Sequence, residues 1–176
     1  MLIEKEKSIL FIIDVQEKLV SVMPKPHTFI DNIIKLQKAS KILEIPVICS
    51  EQYPKGLGNT IKKIKENLTT NDTLIEKTAF SVPIKELSAT HFIISGIESH
   101  ICVLQTAIDI AETANKNRVY IVHDAVSSRY QKDYLTALSR LDKYPNIQIV
   151  SCEMVLFEWL RKSGTNEFKA ISQLIK

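Results

Sequence analysis

Residues 91–102, which read HFIISGIESHIC, decide the fold class of this chain. The apolar run His91–Ser95 predicts a buried strand, and Gly96 directly after it fits a sharp turn. From Ile101 to Ala114 the apolar residues recur at helical spacing, which predicts a helix. A buried strand that turns at once into a helix is the repeating unit of a parallel α/β sheet.

The same unit recurs along the rest of the chain. Six apolar runs do not alternate with polar residues, as expected of strands covered by helices on both faces: Ser8–Ile13, Pro46–Cys49, Thr73–Ile75, His91–Ser95, Arg118–Val122 and Ile147–Val150. Besides 101–114, helices are predicted over Phe29–Leu43, Asp133–Leu141, Met154–Arg161 and Glu167–Ile175. This order predicts a doubly wound α/β sheet. We see no linker and no internal repeat, which predicts one domain over residues 1–176.

Composition and charge exclude several classes of protein. Of the 176 residues, 45% are hydrophobic and 24% are charged, which is typical of a globular chain. The net charge of +3 is dispersed without a basic block, so we expect no nucleic-acid partner. Apolar runs are far shorter than the roughly 20 residues that span a bilayer, so we expect no membrane partner. No glycine-rich nucleotide-binding motif is present, and we expect no cofactor.

The three cysteines, Cys49, Cys102 and Cys152, are widely spaced. An odd number without a CxxC pair predicts neither a disulfide framework nor a structural zinc site. The first residues lack the long apolar core of a signal peptide. We therefore expect a reduced, cytoplasmic protein.

Candidate catalytic side chains follow three of the predicted strands. Asp14 comes directly after the first strand, Lys77 after the third and Cys102 after the fourth. Ligands of open parallel sheets bind beyond the carboxyl ends of the strands, so these three side chains are expected at one edge. Taken singly, Asp14 could cap a helix, Lys77 could lie on the surface and Cys102 could be a buried hydrophobe.

Together the three residue types suit nucleophilic catalysis. A thiol attacks as the thiolate, and a helix start and a lysine cation both favour that form, so we expect a lowered pKa at Cys102. Asp14 could accept the thiol proton and return it to a leaving group. Backbone N–H groups at the helix start could bind an oxyanion. Cys49 is interpreted as packing, and Cys152, also at a helix start, serves as a control.

The chain resembles the isochorismatase-like family of cysteine hydrolases from Leu10 to about Leu160. Five motifs carry the resemblance: FIIDVQ at 11–16, SEQYPKGLG at 50–58, EKTAFS at 76–81, GIESHICV at 96–103 and HDAVSSR at 123–129. The motif at 96–103 is the most specific. The loop at 50–58 is similar to that of the small isochorismatase-domain proteins, most of which have no assigned substrate.

This resemblance implies a three-layer α/β/α Rossmann-like sandwich with a six-stranded parallel sheet. It implies a triad of Asp14, Lys77 and Cys102 that cleaves an amide, imide or related bond through a covalent thioester. It also implies a cis peptide between Ile97 and Glu98, an oxyanion hole formed by the N–H groups of Glu98 and Cys102, and a homo-oligomer. Isochorismatases themselves cleave a vinyl ether, so the fold alone does not fix the reaction.

The resemblance and the sequence also suggest a substrate pocket and its limits. The residues expected to line a pocket for a small molecule are Gln16, Glu51, Tyr53, Leu57, Phe80 and Ser99. Nicotinamidases of the family hold a metal through an Asp-x-His pattern near the second strand. Here that stretch reads SEQY at 50–53 without histidine, so we predict no metal and do not expect nicotinamide as substrate.

Three further polar residues lie within the motifs. We interpret His100 as structural or interfacial, and His123 as bonded to backbone. Arg129 could bind a substrate carboxylate or pin its loop through an ion pair with Asp124. Two other functions stay open: a non-catalytic oligomeric binding or scaffold protein on the same fold, and a thiol redox protein, which would need a second cysteine close to Cys102.

Overall fold

Six strands form one sheet in the computed structural model, which describes residues 1–83 and 88–175. The strands are β1 (Ser8–Ile13), β2 (Val47–Gln52), β3 (Thr73–Lys77), β4 (His91–Ile97), β5 (Arg118–Ser127) and β6 (Ile147–Val150). They lie in the order β3-β2-β1-β4-β5-β6, and every neighbouring pair is parallel. This confirms the predicted doubly wound parallel sheet. The assignment of the chain to one domain stays a prediction.

Helices cover both faces of the sheet. They are α1 (Glu17–Val20), α2 (Pro26–Ile42), α3 (Pro54–Leu57), α4 (Lys62–Lys65), α5 (Leu104–Thr113), α6 (Gln131–Leu141), α7 (Cys152–Leu160) and α8 (Asn166–Ile175). Helices α2, α7 and α8 pack on one face through an apolar cluster that includes Ile33 and Trp159. Helices α5 and α6 pack on the other face through a cluster that includes Ile110 and Leu141. The three-layer sandwich is therefore confirmed.

Four of the strands, β2 to β5, run further at their carboxyl ends than the apolar runs predict. For example, β3 extends through Lys77 rather than ending at Ile75, and β2 reaches Gln52. Gln52 and Lys77 are register partners, and the Lys77 ammonium donates to the Gln52 side chain at 2.7 Å. Polar residues continue these strands because they have partners across the sheet, and the apolar pattern alone does not detect such partners.

Gly96 lies in β4 where this strand pairs with β1 at the centre of the sheet. The strand order reverses between β1 and β4, which is where open α/β sheets form their crevice. Gly96 pairs with Ile13 of β1 and has a φ of +111°, a backbone conformation that side chains rarely adopt. A Cβ atom at this position would overlap the backbone of Ile13. The absence of a side chain therefore lets β4 pack closely against β1 at the edge that bears the candidate site.

The segment between β4 and α5 differs from the predicted regular helix. Residues Ser99–Val103 form a π-helical turn, and α5 begins only at Leu104. The carbonyl of Glu98 accepts hydrogen bonds from the N–H groups of Ile101 at 3.0 Å and Val103 at 3.3 Å. Cys102 therefore lies in a wide turn that precedes the α-helix, a local structure often found at functional sites.

Candidate active site

Asp14 lies at the carboxyl end of β1 and is fully buried. Its backbone is left-handed, with a φ of 51°, as the chain leaves the strand. The Ser50 hydroxyl donates to one carboxylate oxygen at 2.6 Å, and the Lys77 ammonium donates to the other at 2.7 Å. A buried carboxylate needs such partners, since burying an unpaired charge is costly. The two bonds fix the position of the carboxylate.

Lys77, at the end of β3, is buried as well. Besides Asp14, its ammonium donates to the Gln52 side chain at 2.7 Å and to the carbonyls of Phe80 at 2.9 Å and Ala79 at 3.3 Å. An ammonium has three protons, so four acceptors are enough to satisfy it. Lys77 is therefore a buried partner of Asp14 and not a surface lysine.

The Cys102 thiol is buried and is influenced by both charged groups. Burial, as the larger cause, and the Asp14 carboxylate together raise its pKa to about 12, although Lys77 acts in the opposite direction. The sequence predicts that Lys77 and the helix start lower this pKa. That prediction is wrong, because burial and the carboxylate together outweigh the ammonium. At neutral pH Cys102 is consequently a neutral thiol with a carboxylate nearby.

The turn that holds Cys102 contains the predicted cis peptide between Ile97 and Glu98. Glu98 is 5% exposed, and its carboxylate accepts from the Arg129 N–H at 2.9 Å and from Arg129 Nε at 3.1 and 3.2 Å. Arg129 thus pairs with Glu98 and not with Asp124, whose carboxylate accepts from the Cys152 N–H at 2.7 Å. The oxyanion hole at the N–H groups of Glu98 and Cys102 stays a prediction.

The side chains of three predicted pocket residues form hydrogen bonds within the protein. The Gln16 amide donates to the carbonyls of Gln52 and Gly58 and accepts from the Gln52 N–H. Glu51 accepts from the Thr60 N–H at 2.6 Å, and Ser99 donates to a backbone carbonyl at 2.9 Å. These contacts attach the segment after β2 and the turn after β4 to the sheet, so the three side chains hold the site together.

The other three predicted pocket residues remain accessible. Tyr53 is 55% exposed and Phe80 is 52% exposed, while Leu57 is half-buried. Tyr53 directly precedes the short helix α3, and Leu57 is the last residue of that helix. Phe80 follows the end of β3 at Lys77. The carbonyl of Phe80 accepts from Lys77, which places its backbone beside the buried ion pair. These side chains are therefore exposed to solvent, and their role in a substrate pocket stays a prediction.

Two residues near the triad were missed by sequence reasoning. Ser50 and Gln52 contact the carboxylate and the ammonium directly, yet we assigned no role to either. Both lie in the motif at 50–58, one on each side of Glu51, so alternation along a strand places them on the same face. That alternation was the available signal, and it was hidden because the strand was predicted to end at Cys49.

The two histidines within the motifs make contacts away from the predicted triad. His100 Nδ1 lies 3.0 Å from the Ser128 hydroxyl, and its Nε2 lies 3.9 Å from the Asp133 carboxylate. The His123 side chain is exposed, and its carbonyl accepts from the Tyr134 hydroxyl at 2.9 Å. The contacts of His100 agree with its structural interpretation. His123 takes part through its own carbonyl and not through its exposed ring, so the expected bond from its side chain to backbone is not found among the described residues.

The remaining cysteines lie on the opposite face of the sheet from Cys102. Cys49 and Cys152 belong to the apolar cluster beneath α2, whereas Cys102 belongs to the cluster beneath α5. All three thiols are free and buried. The sheet separates Cys102 from both others, which disfavours the redox reading that needs a nearby second cysteine.

Within residues 1–83 and 88–175, no group of three or more His, Cys, Asp or Glu side chains is arranged to hold a metal ion. The prediction that catalysis uses no metal stays a prediction. In the same part of the chain, no helix is long and apolar enough to cross a bilayer.

The fold and this edge define the chain as a Rossmann-like α/β protein with a polar site at its topological switch point. The family model for the isochorismatase domain matches residues 8–152. The chain therefore belongs to the isochorismatase family, as its motifs implied.

Individual relatives agree with this assignment. The chain is 36% identical to Isochorismatase family protein 1B of Dictyostelium discoideum over 182 residues, which cover 97% of this chain and 87% of that protein. The structure of the MAR1 ribonuclease from Caenorhabditis elegans superposes with a TM-score of 0.93 at 36% identity, covering 99% of this chain and 92% of that one. The YcaC gene product from Escherichia coli, an octameric hydrolase of unknown specificity, superposes with a TM-score of 0.84 at 18% identity, covering 98% and 90%. The last comparison shows the fold alone.

Proposed function

We propose that this protein is a cysteine hydrolase that cleaves a small amide, imide or related carbonyl compound through a covalent intermediate on Cys102. The observation that carries the proposal is the buried Asp14–Lys77 ion pair, 2.7 Å long, whose two charges act on the Cys102 thiol in opposite directions. Perturbed titratable groups that converge at the crevice of an α/β sheet are typical of active sites.

The proposed mechanism gives each group a role. As the Cys102 sulfur attacks the carbonyl carbon, a C–S bond forms and the thiol proton passes to Asp14. The C–N bond then breaks, and Asp14 returns that proton to the leaving nitrogen. Water hydrolyses the resulting thioester with Asp14 again as the base, and the thiol is restored. Lys77 holds the Asp14 carboxylate in place and offsets its charge throughout.

A thiol that is neutral at rest suits this sequence of steps. Its pKa of about 12 makes spontaneous ionisation rare at neutral pH. Proton transfer to Asp14 therefore accompanies attack on the substrate, and solvent electrophiles meet an unreactive thiol. The N–H groups of Glu98 and Cys102 would stabilise the oxyanion. The part of the substrate that carries the leaving group would contact Tyr53, Leu57 and Phe80.

The experiment is a panel of small amides, cyclic imides and the probe ester p-nitrophenyl acetate, assayed with the wild type, Cys102→Ala and Cys152→Ala. We expect the wild type to form an adduct on Cys102 that mass spectrometry detects. Cys102→Ala should lose turnover by about a thousandfold or more, whereas Cys152→Ala should keep it. Full turnover in folded Cys102→Ala would overturn the proposed function.

Ribonuclease activity is a second candidate, because the C. elegans chain of 36% identity is described as a ribonuclease. A single-stranded RNA oligonucleotide in the same assay tests it. Cleavage that persists in Cys102→Ala would favour this candidate over the cysteine hydrolase. The dispersed net charge of +3 gives no preference for a polyanion, so we place the small carbonyl substrate first.

We also propose a cytoplasmic homo-oligomer. Free thiols stay reduced in the cytoplasm, and catalysis at Cys102 requires a reduced sulfur. Large apolar side chains are exposed on α6 at Leu135 and on α7 at Met154 and Phe157, as at surfaces that pair with another subunit. The similar E. coli protein is described as octameric. Light scattering coupled to size exclusion tests the assembly, and a monomer would contradict it.

A further inference from the structure

Three consecutive residues of the turn before Cys102 bond to three consecutive residues at the end of β5. We call the latter segment, Ser127–Arg129, the clamp. The Ser99 hydroxyl donates to the clamp's first carbonyl at 2.9 Å, and His100 Nδ1 lies 3.0 Å from the hydroxyl of its second residue. The N–H and Nε groups of its third residue both bind the Glu98 carboxylate.

These contacts are largely buried. Ser99 is fully buried, Ser128 is 1% exposed and Glu98 is 5% exposed, whereas the Arg129 side chain is about half exposed. A hydrogen bond to a charged group is stronger than a neutral one, and a buried acceptor without its partner is costly. Loss of Arg129 would therefore leave the buried Glu98 carboxylate without this cation.

Glu98 links the clamp to the nucleophile through its own backbone. Its carbonyl accepts from the N–H groups of Ile101 and Val103, the residues on either side of Cys102. Its side chain is held by Arg129 at the same time. A shift of Glu98 would consequently move the π-helical turn and change the direction in which the Cys102 thiol points.

We propose that Arg129, assisted by Ser128, is a positioning residue that keeps the Cys102 thiol directed at Asp14. The inference rests on the proposed function and deepens it, because Arg129 bonds to Glu98 and would act on Cys102 through that residue. A small displacement of a reacting group costs up to about a hundredfold in rate. An arginine that only stabilised the fold would change unfolding and leave the rate per folded molecule unaltered.

The test compares Arg129→Ala, Arg129→Lys and Ser128→Ala with Arg118→Ala as the control. Arg118 lies at the other end of the same strand and binds the carbonyls of Asn115 and Asn117. Two readouts are used at a temperature where every variant is folded: acyl transfer from p-nitrophenyl acetate, and alkylation of Cys102 by iodoacetamide relative to Cys152.

For Arg129→Ala we expect kcat for acyl transfer to fall about tenfold to a hundredfold with little change in KM. We expect alkylation of Cys102 to rise several-fold relative to Cys152, because a loosened turn exposes the thiol. Arg129→Lys should restore part of kcat, since a lysine keeps the charge opposite Glu98. Ser128→Ala should show the same pattern more weakly, and Arg118→Ala should show neither change.

Unchanged kcat and unchanged alkylation in Arg129→Ala would overturn the positioning role, even if the melting temperature fell. If wild-type Cys102 forms no acyl adduct, the proposed hydrolase function fails. The alkylation ratio still decides the clamp in that case, because it needs only a thiol and iodoacetamide. Should Arg129→Ala fail to fold, Ser128→Ala and Arg129→Lys carry the same comparison.

Discussion

Cys102 and Cys152 occupy similar local positions in different surroundings. Each lies just after a strand, at or before the start of a helix, and each is buried with a pKa raised to about 12. An aspartate and a lysine influence each thiol, Asp14 and Lys77 for Cys102 and Asp124 and Lys35 for Cys152. Neither helix position nor pKa therefore separates a nucleophile from a structural cysteine.

The partners of the two aspartates separate the sites. Asp124 accepts from the Cys152 N–H, the first N–H group of α7, at 2.7 Å, while the thiol of Cys152 itself donates to the carbonyl of Asn32 at 3.6 Å. Asp14 is held by side chains, from Ser50 and Lys77, and caps no helix. One aspartate is committed to the start of a helix, whereas the carboxylate of the other is held by side chains alone, as the base of the proposed mechanism must be.

The largest expected effect is on acyl transfer. Asp14→Asn should lower the rate of acyl transfer from p-nitrophenyl acetate by about 10²–10⁴, because the amide cannot accept the thiol proton. Asp124→Asn keeps an acceptor for the Cys152 N–H and should leave that rate unchanged. Release of p-nitrophenol gives the rates, and circular dichroism checks the fold. Equal rates in the two variants would remove the distinction between the sites.

The next effect is on stability. Lys77→Met leaves the fully buried Asp14 carboxylate without its cation, and we expect a loss of about 3–5 kcal/mol in the free energy of unfolding. Lys35→Met, next to Cys152, removes a half-buried lysine and should change stability by no more than about 0.5 kcal/mol. Urea unfolding measures both. A loss at Lys77 as small as that at Lys35 would contradict the buried ion pair.

The smallest effect is on the pH dependence of stability, which tests the raised pKa that the two thiols share. A thiol whose folded pKa is about 12 and whose unfolded pKa is about 8.5 stabilises the fold fully at lower pH. That stabilisation is lost as the pH rises above the unfolded value, by about 2 kcal/mol per thiol at about pH 10. Cys102→Ala and Cys152→Ala should each flatten the alkaline decline in unfolding free energy equally.

Urea unfolding at several pH values between about 7 and 10 measures this slope. The slope is the relevant quantity because each substitution also changes stability at neutral pH. A much smaller flattening for Cys102→Ala would mean that the pKa of the Cys102 thiol is lower than burial implies. The lowered pKa predicted from the sequence would then be supported.

Much of the fold was predictable from the sequence, because apolar runs that do not alternate with polar residues indicate strands buried on both faces. The run Ser8–Ile13 was predicted with the bounds that the structure gives, and so was Ile147–Val150. The place of Asp14, Lys77 and Cys102 at one edge followed from strand order. The pKa direction at Cys102 did not, because it depends on how deeply the tertiary structure buries the thiol. The Glu98–Arg129 pair also joins segments 31 residues apart, which no local pattern reveals.

The four acceptors around the Lys77 ammonium have a consequence for chemistry with aldehydes. Imine formation needs a free amine lone pair, and here Asp14, Gln52 and the carbonyls of Ala79 and Phe80 all bind the protonated form. Lys77 is consequently closed to Schiff-base formation, even though its charge acts on the Cys102 thiol. Treatment with pyridoxal phosphate and borohydride should label surface lysines and leave Lys77 unmodified.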